Sequence, residues 1–340
     1  MRNIFAGLGA GFLLFWMVSC NNTSVTIQPE DIPGDSLTIP YVTKQIRKEP
    51  RNPALFSVRA RLFFENGQFE DALKDALIAH QLDSMKSDYY LQLSEYYLAT
   101  GQSENARNIL IDLTRNLPRY APGYVALAKI YLYVKDYKSA EKWLAEAEGI
   151  DPQLAQIYFV RGVMYHENNL KEKAIRQFHL SVERDPELYE SYNFLGLLYA
   201  EKHDTLAAQF YQTASRLNPA AVEPLYNEAM FWQEEGKYER ALSLYKRIIA
   251  EKDSNYPHAY FNQGYILLNY LNKSSEAIPF FEKAMEKKSG YVEAMYNKGL
   301  CYEDLSRYSE ARECYKKALD MHVNYPLAIE ALNRLDKFKK

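Results

Sequence analysis

Glycine and proline are scarce in this chain, 14 of each in 340 residues, which excludes long flexible or proline-rich tracts beyond one short region near the start. Cysteine is scarcer: Cys20 lies in an apolar leader and only Cys301 and Cys314 lie beyond it, too few for a disulfide framework. An excess of positive charge is also missing. The formal net charge is -3, which argues against a general nucleic-acid binder with its basic face. The six histidines fall at His80, His166, His179, His203, His258 and His322, with no metal-ligand spacing among them. "HENNL" at 166–170 supplies one histidine where a zinc-binding helix needs two, and there is no Gly-x-Ser-x-Gly and no phosphate loop. The sequence therefore gives no support for an enzyme, a metal or a cofactor.

What is present first is a leader unlike the rest. "MRNIFAGLGAGFLLFWMVSC" carries one charge at Arg2, an apolar run from Ile4 to Val18, then Ser19 and Cys20. That run suits the core of an export signal and is short for a membrane span. Its "GLGAG" has no strand–helix context, so no phosphate-binding reading attaches to it. Val18, Ser19 and Cys20 resemble the lipobox of bacterial lipoprotein signals, with Met17 in place of the usual leucine. The resemblance implies that residues 1–19 are removed and that Cys20 is lipidated and becomes the new N-terminus. The following "NNTSVTIQPEDIPGDSLTIP" (21–40) is polar and holds three prolines. Residues 20–40 read as a tether, able to span about 65–70 Å when extended.

The remainder is periodic. Ala72, Ala106, Ala140, Ala174, Ala207, Ala241, Ala277 and Ala311 stand 34, 34, 34, 33, 34, 36 and 34 residues apart. Pro118, Pro152, Pro186 and Pro219 follow the same spacing, as do Tyr90, Tyr124, Tyr158 and Tyr192. A period of this length marks a repeat array. Each copy reads as two helices. In the first, large residues flank a small one at the eighth position, as in Tyr158, Gly162 and Tyr165. In the second, an alanine precedes a ring by four residues and a small residue by seven, as in Ala207, Tyr211 and Ala214. Small residues allow close helix approach, rings fill the space beside them, and proline ends the pair. The tyrosine-rich "YVALAKIYLYVKDYKSA" (124–140) is one such copy. Tyr124, Tyr131 and Tyr137 are expected to pack in its core.

This pattern resembles the tetratricopeptide repeat (TPR) family over residues 53–325, in eight copies beginning near Pro53, Ser87, Ala121, Ala155, Tyr189, Val222, Pro257 and Val292. The resemblance implies an all-α, right-handed α-α superhelical solenoid of helix pairs. Residues 41–52 and 326–340 are expected to cap its ends, the latter through Leu327, Ala331, Leu332 and Leu335 on one face. The extra residues of the seventh copy are assigned to "LLNYLNKSSEA", between its helices, and the lost residue of the fifth to "EKHDTLAA". Cys301 and Cys314, both in the last copy, read as buried thiols, with a disulfide left open.

In that family the second, fifth, ninth, twelfth and thirteenth positions of the first helices line a concave groove. Carried onto this sequence, they give apolar candidates Phe64, Leu91, Tyr133, Phe159, Tyr226, Phe261, Tyr265 and Tyr296, and acidic candidates Glu95, Glu167, Glu201 and Glu234. Among all those positions eleven acids face only Arg61 and Lys129. An acidic, aromatic-lined groove suits a protein segment carrying Lys or Arg among apolar residues; the plainer reading is that the acids keep an open surface soluble. The family's clamp on a partner's C-terminal carboxylate is not built here. Its places hold Ser57, Arg61, Gln92, Pro122 and Ala126 at one end, and Tyr226, Met230, Asn262, Glu293 and Asn297 at the other.

The whole resembles the TPR lipoproteins of the Gram-negative envelope. That implies a non-catalytic adaptor, anchored in a membrane by the lipid on Cys20 and binding envelope proteins rather than nucleic acid. Asn21 is not the aspartate of inner-membrane retention, so the outer membrane, on its periplasmic face, is the expected site. Ser36, Ser84 and Thr205 lie in "DSL", "DSM" and "DTL", which resemble the O-glycosylation sites of exported Bacteroidota proteins. A glycan- or nutrient-uptake lipoprotein and a self-assembling structural solenoid are the alternatives. Replacing Cys20 by alanine is expected to abolish incorporation of radiolabelled palmitate and move the protein from membrane to soluble fractions. A Cys20→Ala protein that still sediments with membranes would remove the lipid tether from the account.

Overall fold

The computed structural model describes residues 37–337, and the leader, Cys20 and Ser36 lie outside them. The described residues form eighteen α-helices and no strand, and the chain divides into two compact units after Asp185. The first unit holds α1 (Ile39–Lys48), α2 (Pro53–Glu65), α3 (Phe69–Leu82), α4 (Ser87–Ala99), α5 (Ser103–Asn116), α6 (Ala121–Tyr133), α7 (Tyr137–Ile150), α8 (Ala155–Glu167) and α9 (Lys171–Arg184). The second holds α10 (Tyr189–Ala200), α11 (Leu206–Leu217), α12 (Glu223–Glu234), α13 (Tyr238–Arg247), α14 (Pro257–Asn269), α15 (Ser274–Lys287), α16 (Val292–Asp304), α17 (Tyr308–Met321) and α18 (Pro326–Lys337). From α2 to α17 the helices pair in order, four pairs per unit.

Four of the pairs are held by a ring pressed onto a neighbouring backbone. The eighth position of the first helix faces the twenty-fourth position of its repeat, on the second helix. Gly196 lies so close to Tyr211 that a Cβ would sit 2.6 Å from the ring, and Gly299 so close to Tyr315 that it would sit 2.5 Å away. Gly162 meets Phe178 and Gly264 meets Phe281 in the same way, at 2.7 and 3.0 Å. Where the second helix offers Ala76, Leu110 or Leu144, the first has room for Ala60, Ser94 or Ala128, and all but Ser94 are aliphatic and fully buried. Residue size on one helix thus follows residue size on the other.

The turns inside the pairs share one device. A single residue with positive φ follows each first helix: Gly67, Gly101, Lys135, Asn169, His203, Gly236, Asn272 and Ser306. In seven of these turns it reverses the chain so that the next amide bonds back to the aromatic carbonyl five residues earlier, as Gln102 N–H does to Tyr97 at 2.7 Å and Leu170 N–H to Tyr165 at 2.8 Å. The second helices stop before the recurrent prolines: α5 ends at Asn116, α7 at Ile150, α9 at Arg184 and α11 at Leu217.

The extra residues of the 36-residue spacing are split between two places rather than gathered in the seventh copy. One lengthens the turn between α14 and α15, where Lys273 N–H reaches Leu267 O at 2.8 Å. The other lies at the end of α13, as a π-helical turn over Ile248–Lys252, closed by Asp253 N–H on Ile248 O at 2.9 Å. An i→i−5 turn takes in one residue without breaking the helix.

The ends are capped. The Thr38 hydroxyl accepts from Tyr41 N–H, so α1 starts at Ile39, inside the stretch assigned to the tether. It buries Val42 and Ile46 against Leu55, Phe56, Val58 and Tyr89. At the other end α18 buries Ala328, Ala331 and Leu335 against Tyr315 and Ala318. Leu327, expected on that buried face, is instead 45% exposed, because the burying stripe of α18 runs through 328, 331 and 335. Ion pairs tie further helices: the Arg59 guanidinium forks onto Asp75 at 2.6 and 2.9 Å and donates to Thr43 on α1. Arg161 reaches back to Glu141 and Glu148 on α7.

Two glycine replacements separate packing from helix propensity. Gly299→Ala must displace the Tyr315 ring and is expected to cost about 1–3 kcal/mol. Gly149→Ala, near the end of α7 with nothing within 4 Å of the new Cβ, is expected to stabilise by about 0.5–1 kcal/mol. Urea unfolding of both variants checks this, and shifts of the same sign would contradict the ring-contact account.

Candidate functional site

The positions expected to line the groove fare differently in the two units. In the first unit several of them are closed by packing. Phe159, expected to face a partner, is only 5% exposed and lies against the Phe178 ring at 5.8 Å. Val125, Leu132 and Val163, at groove positions too, are also buried. Phe64 remains half-buried, stacked on Tyr96 with ring centroids 4.6 Å apart. Leu91 is half-buried beside the cluster around Tyr90 and Leu127, and only Tyr133, at 41%, is open. Tyr124, Tyr131 and Tyr137 are half-buried: Tyr131 packs against the cluster around Tyr90 and Leu127, and the other two direct their hydroxyls to polar partners. Tyr124 donates to the Pro118 carbonyl at 3.2 Å, and Tyr137 to Glu167 at 3.4 Å.

The charge in this unit is weaker than the count of acids implied. Glu95 stands at the ninth position of its repeat, as Arg61 and Lys129 do in theirs, yet no hydrogen bond reaches its carboxylate among the described residues. Burial pushes it up to about 7. Burial also raises Glu167, against the Tyr137 hydrogen bond and Lys135, which lower it. Glu95 is therefore not a full negative charge at neutral pH.

The second unit presents a more open face. Leu197, Met230, Tyr265 and Leu300, the ninth positions of α10, α12, α14 and α16, are all partly exposed. Beside them lie Tyr226, Phe261 and Tyr296 from the fifth positions, also partly exposed. Each ring is propped from behind: Tyr226 by Tyr256 at 5.4 Å, Phe261 by Tyr291 at 5.1 Å, and Tyr296 by Tyr315 at 5.6 Å. Acids occur on both sides of this strip, Glu190, Glu223 and Glu293 at second positions and Glu201, Glu234 and Asp304 at thirteenth positions. Burial raises the Glu234 carboxyl, with His203 opposing and Glu235 adding to it. Glu303 is not part of the open surface. It accepts a fork from Arg334 of α18, both bonds 2.8 Å, and the Tyr315 hydroxyl at 2.6 Å, and the Arg334 pairing holds it below the usual carboxylate range.

Sequence reasoning passed over an asparagine series that sets this face. Asn227, Asn262 and Asn297 recur 35 residues apart, each directly after one of the rings. Asn227 donates to Asn193 in the preceding repeat at 3.1 Å. Asn262 donates to the Tyr226 hydroxyl at 3.1 Å and the Tyr245 hydroxyl at 3.0 Å, and Tyr245 in turn donates to Gln233. Asn297 donates to its own helix, to Glu293 O at 2.7 Å. The signal was the repeated ring–asparagine dipeptide. Asn262 and Asn297, which stand at places of the carboxylate clamp, are both buried.

Among the described residues no three His, Cys, Asp or Glu side chains gather as a metal site. Cys301 and Cys314 are free and buried; burial pushes the Cys301 thiol up to about 12, leaving almost no thiolate to react. Ser84 and Thr205 are exposed in turns.

Models of the tetratricopeptide repeat match residues 121–154 and 257–286, and a second such model matches 292–325. The chain therefore carries tetratricopeptide repeats in both units. Anaphase-promoting complex subunit 6 of Arabidopsis thaliana is 24% identical over 218 residues, 59% of this chain and 38% of that protein. Superkiller protein 3 of Schizosaccharomyces pombe is 25% identical over 309 residues, 85% of this chain and 20% of that protein. The chain thus spans well under half of either relative. Among solved structures, the C-terminal part of a TPR protein from Cytophaga hutchinsonii superposes with a TM-score of 0.57 at 17% identity, covering 70% of this chain and 98% of that one. That likeness supports the all-α solenoid class.

The state of Glu95 has a measurable consequence. Its folded pKa lies above the unfolded value, so the native state holds the extra proton between about pH 4.5 and 7. Stability from this group is full below that window and is lost as pH rises through it. Glu95→Gln is expected to leave stability nearly unchanged below about pH 4.5 and to raise it at pH 8 by on the order of 1–3 kcal/mol. Urea titrations under the two conditions provide the check; an equal effect under both would mean that the carboxyl is solvated.

Proposed function

We propose that these tetratricopeptide repeats work as a non-catalytic adaptor, held at a membrane by lipid on Cys20 and docking protein partners of the cell envelope. The observation that carries this reading is the partly exposed apolar strip of the second unit with acids on both sides, a surface that catalysis does not need and protein recognition does. The names of similar proteins lend support, since one is a subunit of a multiprotein complex. Residues 20–36 then serve as the leash, and the outer membrane, on its periplasmic side, is the membrane. Assembly, secretion, or docking of a protease or peptidoglycan hydrolase is the class of task. Ser36, Ser84 and Thr205 are the proposed glycan acceptors, two of them exposed in turns.

Affinity purification of the tagged protein from gently solubilised membranes tests the reading, beside a variant with Glu234→Lys and Glu293→Lys. One envelope protein is expected, recovered by the parent and lost by the variant. Recovery by both would move the docking site to another face. A soluble body that forms a stable dimer by light scattering and captures nothing would replace the adaptor with a self-assembling solenoid.

A further inference from the structure

Resting on the adaptor reading, we propose that the exposed face of the first helices in the second unit takes an amphipathic helix, its apolar stripe flanked on both sides by lysine or arginine.

The floor of that face is apolar at four successive ninth positions, Leu197, Met230, Tyr265 and Leu300, none of them fully buried. The matching series in the first unit is Arg61, Glu95, Lys129 and Val163, which has no continuous apolar strip and no single sign of charge. The two units are therefore chemically unlike at the same register, and only the second offers a floor.

Charge on its margins is of one sign. Glu223 and Glu293 lie on the second-position side, Glu201, Glu234 and Asp304 on the thirteenth-position side, and no lysine or arginine occupies any groove position of this unit. Its one histidine there, His258, is held below its ordinary range by burial, with Lys288 adding to the effect and Glu293 opposing it, so it brings no charge at neutral pH. Nearby cations are committed elsewhere: Arg334 to Glu303 and Lys298 to Glu282, while Lys288 lies over the Tyr291 ring at 4.4 Å. Among the described residues Glu223, Glu234 and Glu293 hold no ion pair.

An apolar floor between two acidic margins selects the backbone form of its occupant. An extended strand sends alternate side chains to the floor and away from it, leaving none directed sideways to both margins. A helix with a stripe about 100° wide places the floor-facing residues centrally and charges along both edges. Four packed helices at about 8–10 Å each give a surface roughly 25–30 Å long, which matches a helix of about 18 residues at 1.5 Å per residue.

The test uses the full chain and three labelled synthetic peptides of 18 residues. One carries leucines on a helical stripe with lysines along both edges, one alternates leucine and lysine strictly, and one replaces the lysines of the first by glutamates. Fluorescence anisotropy is read at 50 and 300 mM salt. The first peptide is expected to bind about tenfold or more tighter than either of the others, a difference of about 1.4 kcal/mol. Glu223→Gln with Glu293→Gln, and separately Glu234→Gln, are expected to weaken it about 3–10-fold at low salt and little at high salt. Met230→Gln, which keeps the volume of the floor but makes it polar, is expected to weaken it at both. Circular dichroism of each variant must match the parent.

Equal binding of the alternating peptide, or unchanged binding by both margin variants, would overturn the helix assignment. If that happens while the native partner is still lost with Glu234→Lys and Glu293→Lys, the adaptor reading stands and only the chemistry of its partner is wrong. If no peptide binds and no partner is recovered, both fall.

Discussion

The distance between the two helices of a pair, set by matched residue sizes at one facing position, is the constraint on which the rest of each repeat depends. Four glycines at the eighth position admit Phe178, Tyr211, Phe281 and Tyr315 to contact that a Cβ would block. Once that approach is set, the rotation of the first helix about its axis is set too. Its fifth residue then rests on the second helix's ring, as Phe159 does on Phe178 and Tyr296 on Tyr315. The face that could meet a partner follows from a packing rule rather than from residues chosen for contact. Repeat six departs from the pattern, with Ala229 opposite Tyr245, both fully buried. It is also the repeat whose second helix ends in a π turn, and nothing further in the structure connects the two.

Much of the fold was legible because repetition multiplies a weak signal. One Tyr–Gly–Tyr spacing says little, but eight copies in register specify helix, turn and partner. The site was less legible, because a position number says which way a side chain starts and not what closes over it. Phe159 and Tyr226 both occupy fifth positions, yet one is sealed against Phe178 and the other remains partly open. Neighbour size decides between them, and no period reports it. Likewise a residue added at the end of α13 and one added to the turn before α15 change the spacing of the alanines identically. Glu303 shows a third limit: its partner Arg334 belongs to the capping helix, outside the repeated register.

Electrostatics sharpen the same lesson. Eleven acids on the expected groove is a formal count that treats every carboxyl as solvated and equal. Glu95 is pushed up to about 7 by burial, whereas Glu303 is neutralised by a fork from Arg334. The remaining charge is concentrated in the second unit, on both sides of an apolar strip that the first unit lacks. Net charge therefore described the chain poorly as a binding surface, and the two halves of an apparently uniform array present different chemistry.

The π turn at Ile248–Lys252 acts as an expansion joint. A residue inserted into a rigid stack would normally shift every later side chain round its helix by about 100°. Here one wide loop of backbone takes up the surplus, and the helices on either side keep their phase. An array that can hide an insertion in this way is not bound to a fixed repeat length. A single residue is accommodated at the end of a helix here, as another is in the turn between α14 and α15.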